Sequence, residues 1–377
     1  MKIDTLFYDK SQWDFDSSHI ENKGETSIVF IFGDSDVLAS GKCFDGIKQQ
    51  YPNAHIVGAS TSGTILGPEI TTHSIVATAV QFEKGAIAIS TIDFSVDDDI
   101  EALSKRLVDQ LPVDDLKHIF VLSDGLNING SELVRGINKA GHGITVSGGM
   151  AGDSDRFQDT WIVADEPAKQ FRIVAVGFYG GDFSITTGCH SGWASFGANR
   201  VVTKSTANVL YELDHQPALD LYKKYLGEFA KDLPHSGMRF PLSIKEHDEA
   251  GEVIRTLLGI DEESKSITFA GDIPEGYIAC LMKPDIDLLI DGAGVAAEEI
   301  INVNSNSALG LVVSCVGRRV VMQQIVEDEL EAIEDILGNN VQLTGFYSYG
   351  EIAPFQDDLL QCQLHNQTMT LTAIYEK

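Results

Sequence analysis

Residues 146–155, with the sequence VSGGMAGDSD, combine three glycines and two carboxylates at the end of an apolar stretch. Such a turn could bind a phosphate, take part in catalysis or contact a ligand. A P-loop is excluded because no Gly-Lys-Ser/Thr follows, and the dinucleotide-binding pattern fails because the glycines are Gly148, Gly149 and Gly152. We therefore predict a strand-end turn, in which the glycines let backbone approach a ligand or a neighbouring domain and Asp153 supplies an acceptor.

Two serine-containing motifs resemble the nucleophile motifs of hydrolases. The sequence FGDS, which ends at Ser35, is similar to the GDS type, but that chemistry also needs a late Asp-x-x-His pair. Here Cys362 stands three residues before the late histidine, His365. The sequence GASTSG, which contains Ser60, is one residue too long for the nucleophile elbow Gly-x-Ser-x-Gly. A serine hydrolase acting through Ser35 or Ser60 is thus an alternative hypothesis, and Asp34 or Ser35 is predicted to cap a helix.

The histidines and carboxylates do not form a metal-ligand pattern. There is no H-x-x-x-H, H-E-x-x-H or C-x-x-C, which excludes the common zinc motifs. Asp153, Asp155 and Asp159 could bind a hard cation, but an EF-type loop needs more oxygen ligands and a closing glutamate. We expect no metal. One axial imidazole is enough to hold a haem, and His190 and His365 are the best placed; a structural role is the alternative for each.

The composition excludes several classes of partner. The 377 residues include 27 basic and 56 acidic side chains, and the formal net charge of −29 repels nucleic acid and anionic membranes. No apolar run reaches the roughly 18–20 residues of a membrane helix, and the acidic N-terminus has no signal-peptide pattern. The five cysteines are scattered, which indicates a reducing compartment. We expect a soluble cytoplasmic protein that binds neither nucleic acid nor membrane.

Polar residues follow four predicted strands in the first half of the chain. They stand at positions 34–35, 60–62, 123–124 and 148–153. Loops beyond the carboxyl ends of parallel strands form the ligand-binding crevice of an open α/β sheet. These positions therefore predict a pocket for a small polar ligand. The alternative is that they are turn residues whose hydroxyls satisfy nearby backbone groups.

Strand and helix patterns alternate in the first half of the chain, and strands dominate afterwards. A helix is predicted over residues 37–51, and the extended runs 73–82 and 86–94 are predicted to form a hairpin. No internal repeat is evident. The predicted fold class is α/β with two α/β parts. Residues 1–200 would contain a mixed, largely parallel sheet, and residues 201–377 a mixed or antiparallel sheet with helices.

Taken together, the motifs resemble the FIST family, a bacterial sensory module with an N-terminal and a C-terminal part. The N-terminal resemblance is carried by residues 58–63, 122–126, 146–153, 192–193, 196–197, 202–205, 209–213 and 217–227. The C-terminal resemblance is carried by residues 314–318, 345–352 and 364–368. In this order the motifs span nearly the whole chain.

The resemblance implies a non-enzymatic, ligand-sensing input protein for small molecules such as amino acids. Some members of the family are described as haem proteins that sense nitric oxide, which makes haem a possible cofactor and this role an alternative function. The two FIST parts account for nearly all of the sequence, so the output is expected from a partner in trans. That partner would be a histidine kinase, a chemotaxis component or a cyclic-di-GMP enzyme.

The candidate ligand-binding residues come from both parts, and no catalytic residue is expected. Those of the first part are Ser60, Ser62, Asp124, Gly148, Gly149, Gly152 and Asp153. Those of the second part are Arg318, Tyr349, Glu351 and Asn366. The guanidinium of Arg318 offers a bidentate fork for a ligand carboxylate. An aspartate or glutamate of the set would bind an amine.

Overall fold

Short apolar runs of the sequence form the buried central strands, as in Ile28–Gly33, where all six residues are buried. The computed structural model describes residues 1–15, 18–71, 73–141, 143–300, 307–355 and 358–377. The predicted α/β class is confirmed, because helices accompany several mixed sheets that contain parallel and antiparallel pairs.

The first half of the chain consists of strands with a few helices between them. The first are β1 (Lys2–Asp9), β2 (Gln12–Asp14), β3 (Ile28–Gly33), α1 (Ser35–Ala39), α2 (Lys42–Gln50), β4 (His55–Ser60), β5 (Thr64–Leu66), β6 (Glu69–Ile70) and β7 (Ile75–Gln81). Next come β8 (Ala86–Asp93), α3 (Ile100–Asp109), β9 (Leu116–Ser123), α4 (Gly130–Ala140), β10 (Thr145–Met150), β11 (Ile162–Ala164), β12 (Arg172–Tyr179) and β13 (Phe183–His190).

The second half is richer in short strands. It has β14 (Ala194–Ser195), β15 (Arg200–Thr206), β16 (Val209–Leu213), β17 (Gln216–Pro217), α5 (Ala218–Leu226), β18 (Leu242–Lys245), β19 (Val253–Arg255), β20 (Leu257–Asp261), β21 (Ser266–Phe269) and β22 (Ile278–Lys283). It ends with α6 (Ile286–Glu298), β23 (Ala308–Cys315), α7 (Val316–Met322), α8 (Asp328–Leu337), β24 (Val341–Ser348), β25 (Gly350–Phe355), β26 (Asp358–His365) and β27 (Met369–Glu376). Short 3-10 helices cover Lys23–Glu25, Gly227–Asp232, His235–Arg239 and Gln323–Ile325.

Three of the sheets repeat one arrangement of strands. The orders β4-β3-β7-β1, β10-β9-β12-β8 and β24-β23-β27-β13 each place one parallel pair beside two antiparallel strands. We call them unit 1 (β1–β7), unit 2 (β8–β12) and unit 3 (β13 with β23–β27). The sequence shows no internal repeat, because the units share strand order rather than a visible residue pattern.

One residue type does recur at the same place in the three units. Each unit has a glycine in its second parallel strand, namely Gly58, Gly148 and Gly345. A Cβ atom on these residues would lie 1.9, 1.9 and 1.8 Å from a carbonyl oxygen of the neighbouring parallel strand. The missing side chain therefore lets the two strands approach each other, which no other residue type would allow.

Each unit also passes a strand to another unit. Strand β5 of unit 1 pairs with β24, β11 of unit 2 pairs with β4, and β25 of unit 3 pairs with β10. Backbone hydrogen bonds join the three crossing points in a ring. They run from Ser62 N to Tyr347 O (2.8 Å), from Gly152 N to Ser60 O (2.9 Å) and from Tyr349 N to Met150 O (3.2 Å). The glycine-rich segment 146–155 lies in this ring, so its backbone closely approaches other units of the same chain.

The inner faces of the three sheets share one core. Phe30 of unit 1 lies edge-on to Phe120 of unit 2 at 6.1 Å, and Phe32 stacks on Phe346 of unit 3 at 4.9 Å between ring centroids. The outer faces are covered by α2 in unit 1, by α3 and α4 in unit 2, and by α6 and α8 in unit 3. This packing fixes the positions of the three sets of strand ends relative to one another.

A fourth, nine-stranded sheet is inserted into unit 3 between β13 and α6. Its order is β19-β18-β22-β15-β16-β21-β20, with β14 and β17 at its sides and α5 packed against it. We call it the inserted sheet. It separates β13 in sequence from β27, with which β13 pairs over its full length. Within the described ranges, no helix is long and apolar enough to cross a membrane.

The predicted hairpin at residues 73–94 was wrong. Strand β7 pairs with β1 and β3, whereas β8 pairs with β12, so the two runs belong to different sheets. The turn between them is the connection from unit 1 to unit 2.

The predicted helix over residues 37–51 is divided into α1 and α2 by Gly41, which has a φ of +70°. The predicted cap is confirmed, because the Asp34 carboxylate accepts hydrogen bonds from the backbone N–H groups of Asp36 and Val37.

Candidate functional site

A cavity of about 460 Å³ lies where the strand ends of units 2 and 3 meet the inserted sheet. We call it the central cleft. Units 2 and 3 contribute Val96, Gly125, Leu126, Asn127, Ile128, Asn129, Met150, Phe157, Cys315, Val316, Gly317 and Tyr349. The inserted sheet and its connections contribute Asn208, Met238, Thr256, Leu258, Phe269 and Ala270. The cleft therefore occupies the region beyond the carboxyl ends of β9 and β23.

The walls of the central cleft carry no charged side chain among the described residues. Its polar side chains are mainly amides, and each of the three is held by its NH₂ group; Asn129 Nδ2 donates to Asp272 Oδ1 at 3.0 Å. Asn127 Nδ2 donates to both Asp124 oxygens at 3.2 Å, and Asn208 Nδ2 donates to the Phe269 carbonyl at 2.7 Å. Their Oδ1 atoms accept no hydrogen bond from any described residue, so each offers an acceptor to a ligand N–H or O–H.

Apolar and aromatic side chains form the rim of the central cleft. Val96, Phe157 and Leu258 are 75%, 40% and 52% exposed, although each is a large apolar residue. The Phe157 ring stacks on Tyr349, with the ring centroids 4.5 Å apart. Exposed apolar side chains around a cavity are typical of a binding site.

Asp153 positions this rim rather than lining the cleft. Its carboxylate accepts hydrogen bonds from the backbone N–H groups of Phe157, Gln158 and Asp159 at 2.8–2.9 Å and from the Tyr349 hydroxyl. Burial, together with the Asp153 carboxylate, raises the pKa of Tyr349. The hydroxyl therefore stays protonated and donates a hydrogen bond to Asp153. The side chain of Asp153 is 1% exposed and is satisfied within the fold.

Asp124 has a similar role in the loop after β9. Its carboxylate accepts from the backbone N–H groups of Leu126 (2.8 Å), Asn127 (2.9 Å) and Phe171 (2.9 Å). It is fully buried, and it shapes the loop that carries Asn127 into the central cleft.

The predicted serines and glycines hold the units together. Ser60 Oγ accepts from Trp161 N at 2.9 Å, and Ser62 Oγ donates to the Ser154 carbonyl at 2.8 Å. A Cβ atom on Gly149 would meet the Val313 side chain at 2.5 Å, and one on Gly152 would meet Ser62 Oγ at 2.4 Å. A Cβ atom on Gly148 would likewise overlap a backbone carbonyl of β9. The close neighbours of these residues therefore belong to other segments of the same chain.

Arg318 is engaged within the protein, contrary to its expected role as the partner of a ligand carboxylate. It is fully buried, and its Nε and Nη2 atoms donate to Glu329 Oε2 at 2.9 and 2.7 Å. Its remaining donors reach the carbonyl oxygens of Ser191 and Leu289. The guanidinium donors that were predicted to bind a ligand carboxylate thus bind Glu329 instead.

Glu351 and Asn366 lie beneath the cleft wall. Glu351 accepts from Ser348 Oγ at 2.5 Å and from the backbone N–H and hydroxyl of Thr368, and burial raises its pKa to about 7. Asn366 is 1% exposed and accepts from Thr256 N at 3.4 Å, while its Nδ2 atom has no partner among the described residues. Of the predicted ligand residues, Tyr349 lines the central cleft, and the others support it or join the units.

A second cavity, also of about 460 Å³, contains both histidines predicted as possible haem ligands. We call it the histidine cavity. It is lined by Thr187, Gly188, Cys189, His190, Ser191, Glu252, Ile254, Glu299, Pro354, Phe355, Leu359, His365 and Thr368. His365 is 7% exposed, and burial, followed by the nearby Arg255 charge, lowers its pKa to about 4.

The sequence interpretation missed most residues that line the central cleft. Asn127, Asn208 and Phe157 were not predicted, because each lies in a loop whose position depends on distant strands. One signal was available: Asn127 follows the strand-end residue Asp124 closely, and a polar loop after a buried strand is a common binding position.

Models of known families and relatives match the chain over most of its length. A model of the FIST N domain matches residues 27–216, and a model of the FIST C domain matches residues 218–354. An uncharacterized protein of Methanocaldococcus jannaschii is 25% identical over 397 aligned residues, covering 94% of this chain and 74% of that protein. The division predicted between residues 200 and 201 stays a prediction.

Two solved structures are similar to the whole chain at a low level. A cyanuric acid hydrolase from A. caulinodans has a TM-score of 0.42 and 7% identity, covering 100% of this chain and 99% of that one. A chorismatase has a TM-score of 0.37 and 10% identity, with 100% of both chains covered.

Proposed function

This chain belongs to the FIST family, whose domains are sensory domains of signal transduction, and we propose that it is a non-enzymatic sensor that binds a small molecule in the central cleft. One observation carries this proposal: both matched regions build the cleft. Asn127, Phe157 and Asn208 come from the first region, and Thr256 and Tyr349 from the second. A volume of about 460 Å³ is within the range of small-molecule sites, roughly 300–1,000 Å³.

The ligand that fits this cleft best is a small uncharged molecule. Its N–H or O–H groups would donate to the Oδ1 atoms of Asn127 and Asn208, and its apolar part would pack against Phe157 and Leu258. The ammonium and carboxylate of a free amino acid would meet no counter-charge among the described residues of these walls, and Arg318, which is not among them, is paired with Glu329. Amino acids, expected from the sequence, are therefore the second ligand class to be tested.

A role without catalysis is supported by the surroundings of the candidate nucleophiles. Ser35 Oγ accepts from Arg156, and Ser60 Oγ accepts from the Trp161 backbone, and neither hydroxyl is hydrogen-bonded to a histidine among the described residues. Cys315 lines the central cleft, but burial raises its pKa well above the usual value, which keeps it as a thiol. The signal would pass in trans to a cytoplasmic histidine kinase, chemotaxis component or cyclic-di-GMP enzyme.

Haem sensing of nitric oxide is favoured by one observation and opposed by another. His190 and His365 line one cavity, and Nε2 of His365 has no hydrogen-bond partner among the described residues. However, the described part of the lining includes Glu252 and Glu299 and no lysine or arginine, so haem propionates would meet like charges. The donor set offers an axial imidazole, but the electrostatics of the cavity do not fit the complete cofactor.

The variant Ala270→Phe should weaken ligand binding at the central cleft by at least about tenfold, because the half-buried Ala270 lines the cleft and a phenyl ring would occupy its volume. Ligands would be found by thermal shift, with neutral amides, lactams and nucleobases screened beside amino acids. A ligand present at about 100 times its Kd contributes about 2.7 kcal/mol and raises the Tm.

The matched control is Val113→Phe, which adds the same ring to an exposed apolar residue outside the cleft lining. It should bind the same compounds with unchanged affinity. Equal binding by both variants would place the ligand elsewhere, and a screen in which no neutral compound or amino acid raises the Tm would contradict the proposal.

A further inference from the structure

The central cleft lies at one of three equivalent junctions between the units. At each junction, the loop after the first parallel strand of one unit meets the crossing segment of the next unit, and the crossing segments cover residues 60–63, 150–156 and 347–350. The loops begin at Asp34, Asp124 and Cys315, each three residues after the partner of the glycine in the unit's second parallel strand. Asp34 and Asp124 accept hydrogen bonds from the backbone N–H groups two and three residues later, so these loops start alike.

The junction between units 1 and 2 is occupied by the guanidinium group of Arg156. Its Nη2 atom donates to Ser35 Oγ, its Nη1 atom to Asp36 at 3.0 Å, and its Nε atom to the Asp153 carbonyl at 3.2 Å. Ser35 and Asp36 belong to the loop of unit 1, whereas Asp153 and Arg156 belong to the crossing segment of unit 2. A planar group with several N–H donors thus bridges the two sides of this junction.

A guanidinium group also occupies the junction between units 3 and 1. Arg319 Nη1 donates to the Ser62 carbonyl, and the guanidinium lies over the Tyr347 ring, 5.9 Å from its centroid. Here the loop of unit 3 supplies the arginine and the crossing segment of unit 1 supplies the carbonyl. The same chemical group therefore bridges both junctions, although it comes from opposite sides of them.

The junction between units 2 and 3 has no arginine among its described residues, and the central cleft occupies it. Ile128 stands in the loop of unit 2 at the position that Arg319 has in unit 3, four residues after the start of the loop. Met150 stands at the position of Tyr347, two residues after the glycine of the second parallel strand. Both Ile128 and Met150 line the cleft, so the cleft lies where the guanidinium lies at the equivalent junction.

The acceptors around the cleft are neutral, unlike those around Arg156. Arg156 lies 3.0 Å from the Asp36 carboxylate and 3.8 Å from that of Asp153. The described walls of the cleft carry no charged side chain, and their available acceptors are the Oδ1 atoms of Asn127 and Asn208. A guanidinium there would lose hydration without gaining a carboxylate. A primary amide or a urea offers planar N–H donors without a charge.

We propose that the ligand of the central cleft carries a planar, uncharged N–H donor group, either a primary amide or a urea, in the place that a guanidinium occupies at the other two junctions. Its N–H groups donate to the Oδ1 atoms of Asn127 and Asn208, and its apolar part packs on Ile128, Met150 and Phe157. This inference rests on the sensor function proposed above and narrows the ligand class of the same site.

Calorimetric titration of the full chain with two sets of isosteric probes tests the ligand class. Benzamide is compared with acetophenone, in which a methyl group replaces the NH₂ group, and with benzamidine, its cationic counterpart. Phenylurea is compared with phenylguanidine. We expect benzamide or phenylurea to bind at least about tenfold more tightly than acetophenone and than either cation, because a site that accepts hydrogen bonds rejects an analogue without the donors.

The variant Ile128→Arg should weaken the binding of that amide or urea by at least about tenfold, because its guanidinium would take the place of the ligand, as Arg319 occupies the equivalent junction. The matched control is Ile128→Leu, which keeps the side-chain volume and should bind with nearly unchanged affinity. The Tm of each variant shows whether it is folded. Unchanged binding by a folded Ile128→Arg variant would overturn the inference.

The titrations separate a failure of this inference from a failure of the sensor function. If acetophenone or a cation binds as tightly as benzamide and phenylurea, and Ala270→Phe removes that binding, the inference is overturned and the sensor function stands. The same conclusion follows if no amide or urea binds while another compound of the thermal-shift screen does. If neither these probes nor any compound of the screen binds, both proposals are overturned.

Discussion

Replacing Glu329 with glutamine should lower the free energy of unfolding by about 3–5 kcal/mol, because it leaves the Arg318 charge buried without its partner. Both side chains are fully buried. Glu329 Oε2 accepts from Arg318 at 2.7 and 2.9 Å, and Oε1 accepts from Ser314 Oγ at 3.1 Å and Tyr347 OH at 2.8 Å. Urea denaturation followed by circular dichroism would measure the loss.

A second variant separates the charge from the shape of the pair. Arg318→Met should lose a similar amount, since it leaves the Glu329 carboxylate without its cation. The combined variant Arg318→Met/Glu329→Gln should be more stable than the sum of the two losses predicts, because neither charge then remains unpaired. Simple additivity would contradict the pairing argument.

The matched control is an exposed pair. Lys231 and Glu228 are 73% and 88% exposed, and Lys231→Met should change the free energy of unfolding by less than about 1 kcal/mol. A loss of that small size at Glu329 would mean that water reaches the buried pair in solution.

The position of Glu329 shows where sequence patterns are informative and where they stop. It stands three residues after Val326 and four before Ile333, so it shares the apolar stripe of α8 rather than its acidic face. That spacing predicts burial, but no local pattern identifies Arg318 as the partner, because α7 carries it on a separate short helix. For this reason the Arg318 guanidinium is predicted from the sequence to bind a ligand carboxylate rather than Glu329.

The strands and the first helix cap could be predicted because they depend on neighbouring residues. The run before Gly33 is apolar throughout, and Asp34 lies within reach of the backbone N–H groups that it caps. The hairpin at residues 73–94 failed because strand pairing depends on the whole sheet. The connection between β7 and β8 has the length of a hairpin turn, but each strand finds its partners in a different unit.

The repeat was missed for a related reason. The three units share the same backbone path, which many different side chains can follow. Glycine is needed at one equivalent position in each unit, namely Gly58, Gly148 and Gly345, because a Cβ atom there would overlap a carbonyl oxygen. Once the repeat is known, the glycine-rich segment 146–155 is explained as one of three equivalent crossing points. Its resemblance to a ligand-binding turn came from glycines that serve strand packing.

The buried His118 makes the protein sensitive to acid. It is fully buried on β9, with Nδ1 2.8 Å from Thr145 Oγ1 and Nε2 2.8 Å from Ser147 Oγ. Burial among neutral hydroxyl groups lowers its pKa from 6.5 to about 3. Between pH 6.5 and 3 the imidazole is therefore protonated in the unfolded chain but neutral in the folded protein. The contribution of His118 to the free energy of unfolding is fully present above pH 6.5 and is lost as the pH falls towards 3. Glu351, with a pKa raised to about 7, acts in the opposite direction between pH 4.5 and 7.

His118→Gln should make the free energy of unfolding fall less steeply between pH 6.5 and pH 4.5, by about 3 kcal/mol, since each pKa unit is worth about 1.36 kcal/mol. Glutamine keeps a donor and an acceptor for the two hydroxyl groups but does not titrate. Urea denaturation at a series of pH values measures the slope, and the exposed His247→Gln serves as the control for losing one histidine. Glu351 and the buried His365 contribute equally to both proteins, so the difference between the two slopes belongs to His118 alone. Identical slopes would show that His118 reaches solvent before the protein unfolds.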